Sequence, residues 1–224
     1  MQTEPVPAYL NDTYWWAYVH PAAVRIFERQ WLVNLILWGN FSRLRDAALA
    51  VLEDRAGGRT LQVACVYGDF TPRLARRIAE RKGELDVVDV LPVQLANLRR
   101  KLDGYAPVRL LQRDASRLRL PDACYDQVVL FFLLHEMPAQ VRARTLAEAM
   151  RVTRPGGQVV VVDYHRPARW HPLRGAMRWI LRSLEPFAMD LWRHELEHWL
   201  PPGVRPVRKD TCFGGLYQRV VIRR

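Results

Sequence analysis

The sequence predicts an α/β fold: a doubly wound, mostly parallel, seven-stranded sheet with an antiparallel C-terminal hairpin and an N-terminal helical extension. Three observations predict it. After Gly58, short Val- and Leu-rich runs alternate with basic, amphipathic stretches. Continuous apolar runs mean strands buried on both faces, as when helices cover both sides of a parallel sheet. The last two runs have only Phe213-Gly214-Gly215 between them, which makes them a hairpin. Residues 1–57 instead follow helical spacing.

Within that extension, Pro21 suits a first helical position, and Val24, Phe27, Trp31, Leu35 and Trp38 recur at the helical period. Gly39-Asn40 offers a break or kink, beyond which Leu44, Ala48 and Val51 carry the pattern to Gly57-Gly58. Upstream, Tyr14-Trp15-Trp16-Ala17-Tyr18 is an aromatic cluster that core packing, a substrate lid or an interfacial anchor would each explain. The predicted parallel strands are Leu61–Val66, Leu85–Val90, Val108–Gln112, Gln127–Leu134 and Gln158–Val162, joined by right-handed crossovers. Helices between them are predicted over Pro72–Arg81, Val93–Leu102 and Ala139–Thr153, and the hairpin over Val204–Thr211 and Leu216–Ile222. No repeat, low-complexity stretch or linker interrupts the chain, so one domain is expected over 1–224. Its parts are an extension or lid (1–57), a cofactor-binding core (58–165) and a segment facing substrate and membrane (166–224).

Composition excludes several classes. Half of the 224 residues are apolar and a quarter charged, enough for one full core and unlike disordered or disulfide-scaffold chains. Cys65, Cys124 and Cys212 cannot pair evenly, and Met1–Pro7 has no signal-peptide pattern, which points to a reducing, cytoplasmic compartment. The longest apolar stretch, Trp31–Gly39, is too short for a membrane span of about 18 residues. A net charge of +11, with only Lys82, Lys101 and Lys209 as lysines, fits attraction to nucleic acid, to an anionic lipid surface, or simply coding bias toward arginine. Arg166–Arg182 carries five arginines and no acid among Trp170, Leu173, Met177, Trp179, Ile180 and Leu181. Arg174, Arg178 and Arg182 share a helical face, as in an interfacial helix or a surface helix packed on a core.

Parallel sheets bind ligands outside the carboxyl ends of their strands. The first strand runs into Ala64-Cys65-Val66-Tyr67-Gly68, a turn whose backbone would lie under a ligand. Asp89 ends the second strand, where a carboxylate accepts ribose hydroxyls. Asp114-Ala115 ends the third, with an acceptor for an adenine amino group and room for the ring. Together these suggest S-adenosylmethionine as cofactor; singly, such aspartates often only cap helices. Phe132 and His135 emerge from the fourth strand, and Asp163-Tyr164-His165 from the fifth after Arg154-Pro155-Gly156-Gly157. His135, Asp163 and His165 could form an open site for a divalent ion; alternatively Asp163 hydrogen-bonds backbone or the histidine. His194-Glu195-Leu196-Glu197-His198 matches a zinc-peptidase pattern but lacks a third ligand, and reads as solvated helix surface.

This architecture is that of the class I, Rossmann-like S-adenosylmethionine-dependent methyltransferases. Compared with quinone-ring C-methyltransferases, Gln62 stands where an acid is usual, Val66 where glycine is, and Tyr67 for the small residue before Gly68. These departures, with Thr13–Pro21, Phe27–Asn40, Val66-Tyr67-Gly68 and Leu134-His135-Glu136-Met137-Pro138, make the chain resemble the rhodoquinone biosynthesis methyltransferase-like family over nearly its whole length. That resemblance implies replacement of a ubiquinone ring methoxy by an amino group, S-adenosylmethionine supplying the amine, assisted by a divalent ion such as manganese. On it, His135, Asp163 and His165 would hold the cation, and Tyr67 or Tyr164 would handle protons or a developing enolate. The implied partners are a ubiquinone-type lipophilic quinone and the anionic inner leaflet, the protein lying peripherally on the cytoplasmic face. Conventional methylation of a quinone or lipophilic phenol is the nearest alternative, and a degenerate, partner-binding protein a more distant one. A nucleic-acid methyltransferase is disfavoured, because the fourth strand lacks an Asn/Asp-Pro-Pro-aromatic turn, and no nucleic-acid partner is expected.

Overall fold

A computed structural model describes residues 6–14, 27–102 and 108–224, except for the side chains of Asn11 and Tyr14. Trp15–Tyr18, the His20-Pro21 step and Val24 therefore lie outside the described residues. Seven strands form one sheet: β1 (Arg59–Val63), β2 (Glu84–Asp89), β3 (Val108–Gln112), β4 (Tyr125–Phe131), β5 (Thr153–Tyr164), β6 (Pro206–Cys212) and β7 (Tyr217–Arg223). Their order is β3-β2-β1-β4-β5-β7-β6. The first five run parallel, and β7 enters antiparallel between β5 and β6, as the alternation of apolar runs and the final glycine turn predict. Phe213, Gly214 and Gly215 all have positive φ, which closes that hairpin.

The helices are α1 (Ala8–Tyr14), α2 (Gln30–Ile36), α3 (Phe41–Glu53), α4 (Phe70–Glu80), α5 (Pro92–Lys101), α6 (Ala139–Val152), α7 (Arg174–Leu184) and the short α8 (Asp190–Arg193). The break or kink expected at Gly39-Asn40 is a break between α2 and α3. Trp38 and Gly39 take positive φ, and the Asn40 side chain donates to the carbonyls of Leu37 (3.2 Å) and Trp38 (2.9 Å), satisfying groups the helix end leaves open. Arg154–Gly157 lies inside β5 as a bulge: one residue of β4, Asp126, stands opposite these four between the pairs Tyr125–Thr153 and Gln127–Gln158. Among the described residues no helix is long and apolar enough to cross a membrane.

One polar chain ties the helical extension to the sheet. Gln127 Nε2 donates to Thr60 Oγ1 (2.9 Å) and to the Leu52 carbonyl (3.1 Å). Gln158 Nε2 donates to Gln127 Oε1 (3.1 Å) and the Val51 carbonyl (3.2 Å). Carbonyls in the last turn of α3 thus receive side-chain donors from β4 and β5, with Thr60 of β1 as a further acceptor for Gln127. All three of those side chains are buried. Replacing Gln127 by Leu strands several buried groups at once, and the expected loss is about 2–4 kcal/mol. A urea unfolding midpoint unchanged in Gln127→Leu contradicts this account.

Candidate functional site

The carboxyl ends of β1 to β5 converge on two adjoining spaces. Ala64 follows β1 with φ 71°, a conformation rare for a residue with a side chain, and Gln62 braces it, its amide donating to the Ala64 carbonyl and Thr71 Oγ1, both at 2.9 Å. Gln62, standing where an acid is usual, thus fixes the start of the turn and of α4. Gly68 has φ 79°, and a Cβ there would lie 2.9 Å from the Phe41 ring, so the turn packs against α3 with no room for a side chain. Asp89, buried at the end of β2, accepts from the backbone N–H of Cys65 and of Leu91, each at 2.8 Å. Burial raises its pKa against those hydrogen bonds. Asp114 Oδ1 accepts from Ser116 N–H (2.7 Å) beside Ala115.

These groups line a narrow cleft of about 70 Å³ whose far wall is α1, through Pro7, Tyr9 and Leu10. Tyr9 meets Phe187 edge-on at 6.4 Å, and its hydroxyl pKa is raised by burial and by Glu136, Asp114 and Asp89. The acceptors match a nucleoside, since a strand-end carboxylate such as Asp89, held by backbone N–H groups, is placed to receive ribose hydroxyls. The residues therefore fit an adenosyl group, although the cleft is smaller than the ~300 Å³ that such ligands usually need.

Beside the cleft lies a larger, mostly apolar cavity of about 530 Å³, bounded by Phe27, Phe41, Ile180 and Leu181 among others. Its polar members are Tyr67, His135, Glu136, Tyr164 and Glu185. Cys65, Tyr67, Phe132 and Glu136 line both spaces. Tyr67 accepts from Gln94 Nε2 (2.8 Å) and stacks on Phe27 at 6.0 Å. Phe132, with φ 53°, packs edge-on to His135, Tyr164 and Tyr217. Burial pushes the hydroxyl pKa of Tyr67 and Tyr164 up, as it does the thiol of Cys65 beside Asp89.

His135 and Asp163 meet; His165 does not join them. His135 Nδ1 lies 2.9 Å from Asp163 Oδ1, which also accepts from Tyr164 N–H (2.7 Å). Asp163 Oδ2 accepts from the N–H of Leu134 (2.8 Å) and His135 (3.3 Å). His165 instead donates through Nδ1 to the Gly215 carbonyl (2.9 Å), and its Nε2 accepts from Lys209 (3.2 Å) near Glu195. The three-ligand cation site is therefore corrected. The carboxylate is saturated by four hydrogen bonds, and the second imidazole is held by the hairpin. Among the described residues no group of three His, Cys, Asp or Glu side chains is placed to hold a metal ion. His194 and His198 are exposed and stacked at 4.3 Å, but not on one helix: α8 stops at Arg193 and Glu195 is extended, its carboxylate on Lys209.

Two contributors escaped the strand-end reasoning. Arg142, fully buried on α6, donates to the carbonyls of Leu134 (2.8 Å), Met137 (2.9 Å) and Phe187 (2.8 Å), with its guanidinium 4.4 Å from the Trp199 ring. It thus fixes the short 3-10 turn Leu134–Glu136 that carries His135. The available signal was an arginine on the apolar stripe Arg142-Leu146-Ala149. Glu185 was visible only as the first acid after the arginine-rich run.

Burial lowers the His135 pKa, but the Asp163 carboxylate and its hydrogen bond, with Glu185 and Glu136, outweigh it and push the value up to about 9. A histidine raised in the folded state stabilises fully below its unfolded value of about 6.5, and that stability is lost as pH rises toward about 9. The unfolding midpoint is therefore expected to fall between those pH values. His135→Gln is expected to flatten the profile; an unaltered slope in the variant contradicts the assignment.

Residues 60–157 match the family model described as "Methyltransferase domain". The chain is 32% identical over 145 residues to a phosphatidylethanolamine N-methyltransferase of Cereibacter sphaeroides, covering 63% of this chain and 68% of that one. It is 25% identical over 210 residues to the demethylmenaquinone methyltransferase of Bacillus subtilis, covering 92% and 88% respectively. It spans 63% of the length of the Bacillus licheniformis counterpart, at 29% identity over 150 residues and 66% of this chain. Among solved structures, a SAM-dependent methyltransferase from Aquifex aeolicus shares the fold, with TM-score 0.59, 20% identity, and 91% of this chain and 97% of that one covered. With its sheet order, its strand-end acids and these relatives, the chain belongs to the class I S-adenosylmethionine-dependent methyltransferases.

Proposed function

We propose that the protein uses S-adenosylmethionine to modify the ring of a lipophilic quinone or its reduced form. The observation carrying this reading is the wall of Cys65, Tyr67, Phe132 and Glu136, common to the nucleoside-like cleft and to an apolar cavity of about 530 Å³. Relatives named demethylmenaquinone methyltransferase support a quinone, and with it ring methylation, as the reaction. In this reading Asp89 holds the ribose, Asp114 and Ala115 the adenine edge, and the backbone of Ala64–Gly68 the amino-acid end. The bound sulfonium would supply an activated methyl group.

The chain's own residues then set up the ring. His135, kept protonated by its buried carboxylate partner, donates to a ring oxygen as negative charge develops there. Asp163 and Arg142 position it, and Tyr164 packs against its ring at 4.9 Å. In this reading Tyr9 and Leu10 of α1 border the cofactor cleft, Phe27 and Leu35 border the substrate cavity, and Ile180 and Leu181 of α7 face the substrate. The substrate is drawn from an anionic membrane surface, since moving a polyprenyl tail through water costs about 0.8 kcal/mol per CH₂.

A second reading, exchange of a ring methoxy for an amine taken from S-adenosylmethionine, is favoured by Val66 and Tyr67. A branched side chain and a phenol stand in the turn beneath the amino-acid end, and Tyr67 also faces the substrate cavity. Mass spectrometry of quinone products, with S-adenosylmethionine labelled at its amino nitrogen, separates the two. Methylation adds a CH₂ without label, whereas exchange replaces OCH₃ by labelled NH₂. No product from quinones or quinols of several tail lengths sinks both readings. Asp89→Asn is expected to weaken S-adenosylmethionine binding about tenfold or more in calorimetry. Tyr67→Phe is expected to slow amine exchange about a hundredfold, and an unchanged rate removes its hydroxyl from the reaction.

A further inference from the structure

The large apolar side chains that this fold exposes gather mainly at one place. On α2, Trp31 and Leu35, one helical turn apart, are 61% and 64% exposed, followed by Ile36 and Trp38; on α7, Trp179 is 71% exposed and Leu184 47%. The link just after α2 meets α7 where Trp38 Nε1 lies 2.9 Å from Met177 Sδ. Leu35, Ile36, Trp38 and Leu184 are exposed and also line the 530 Å³ cavity, so this surface is the rim of the cavity's mouth.

The exposed charges on α7 and just before α2 are basic. Arg178 and Arg182 are exposed one turn apart on α7, and Arg29 is exposed just before α2. Among the described residues none of these three forms an ion pair. No acid occurs from Arg166 to Leu184. Exposed indoles settle at the headgroup level of a bilayer, and arginines beside them reach lipid phosphates.

We infer that α2 and α7 together lie on the surface of an anionic bilayer, with the cavity mouth opening into the acyl region. A substrate tail then passes between the helices, past Trp38 and Met177, without crossing water. The passage rests on the lipophilic-substrate reading above; the contact with lipid does not.

Vesicle flotation of the full chain, without quinone or S-adenosylmethionine, tests the contact. The protein is expected to float with phosphatidylcholine vesicles containing phosphatidylglycerol and far less with phosphatidylcholine alone. Trp31→Glu combined with Trp179→Glu is expected to cut the bound fraction at least tenfold, with S-adenosylmethionine binding unchanged in calorimetry. Arg178→Glu combined with Arg182→Glu is expected to lose the preference for anionic vesicles, by about fivefold per arginine. Wild-type protein that stays unbound, or a double tryptophan variant that floats like wild type, overturns the inference. So does a wild-type dimer that the tryptophan pair converts to monomer with no flotation, which makes the face an interface between copies. For the passage, the tryptophan pair is expected to slow turnover of long-tailed quinone in vesicles but not of a short-tailed, water-soluble one. Equal slowing of both overturns the passage, whereas flotation with no turnover of either quinone sinks the quinone reading and leaves the docking face intact.

Discussion

Two carboxylates buried at strand ends, spent largely on backbone amides, set the geometry of everything around them. Asp89 pins the turn after β1 and the start of the segment leading to α5. Asp163 pins the turn after β4 and the histidine it carries. A buried carboxylate is costly unless its acceptor sites are filled, and here the filling groups belong to different strands' loops. Solvating the charge and joining neighbouring loops are one act. The two spaces sit side by side because their floors are fastened by the same device, repeated on each side of the β1–β4 step where the strand order reverses.

Much of this was legible in the chain. Continuous apolar runs reveal a sheet because burial on both faces leaves no alternative composition for the central strands, and the Phe213-Gly214-Gly215 stop marks the antiparallel end. Asp89 and Asp114 were found because strand ends are topologically special. The bulge carrying Arg154–Gly157 inside β5 was not legible: a glycine pair looks the same in a turn and in a strand that bends. The break after α2 was visible as Gly39, but its cause, the Asn40 amide on two carbonyls, depends on a three-dimensional fit.

Side-chain partnerships were the least legible layer. Two residues apart on an extended chain, Asp163 and His165 share a nominal direction, yet β5 ends at Tyr164 and the following residue is claimed by the hairpin's Gly215 and Lys209. Alternation holds only as long as the ladder does. Arg142 shows the reverse case: its helical position was predictable, but nothing local indicates that its guanidinium satisfies three carbonyls from two loops.

The wall of four residues between the spaces has a thermodynamic corollary. Whatever occupies one side presses on the same side chains that bound the other, so the two ligands' affinities are linked. Such coupling is reciprocal by necessity. If the proposed function holds, a quinone-like inhibitor is expected to report, through its own dissociation constant, whether S-adenosylmethionine is bound.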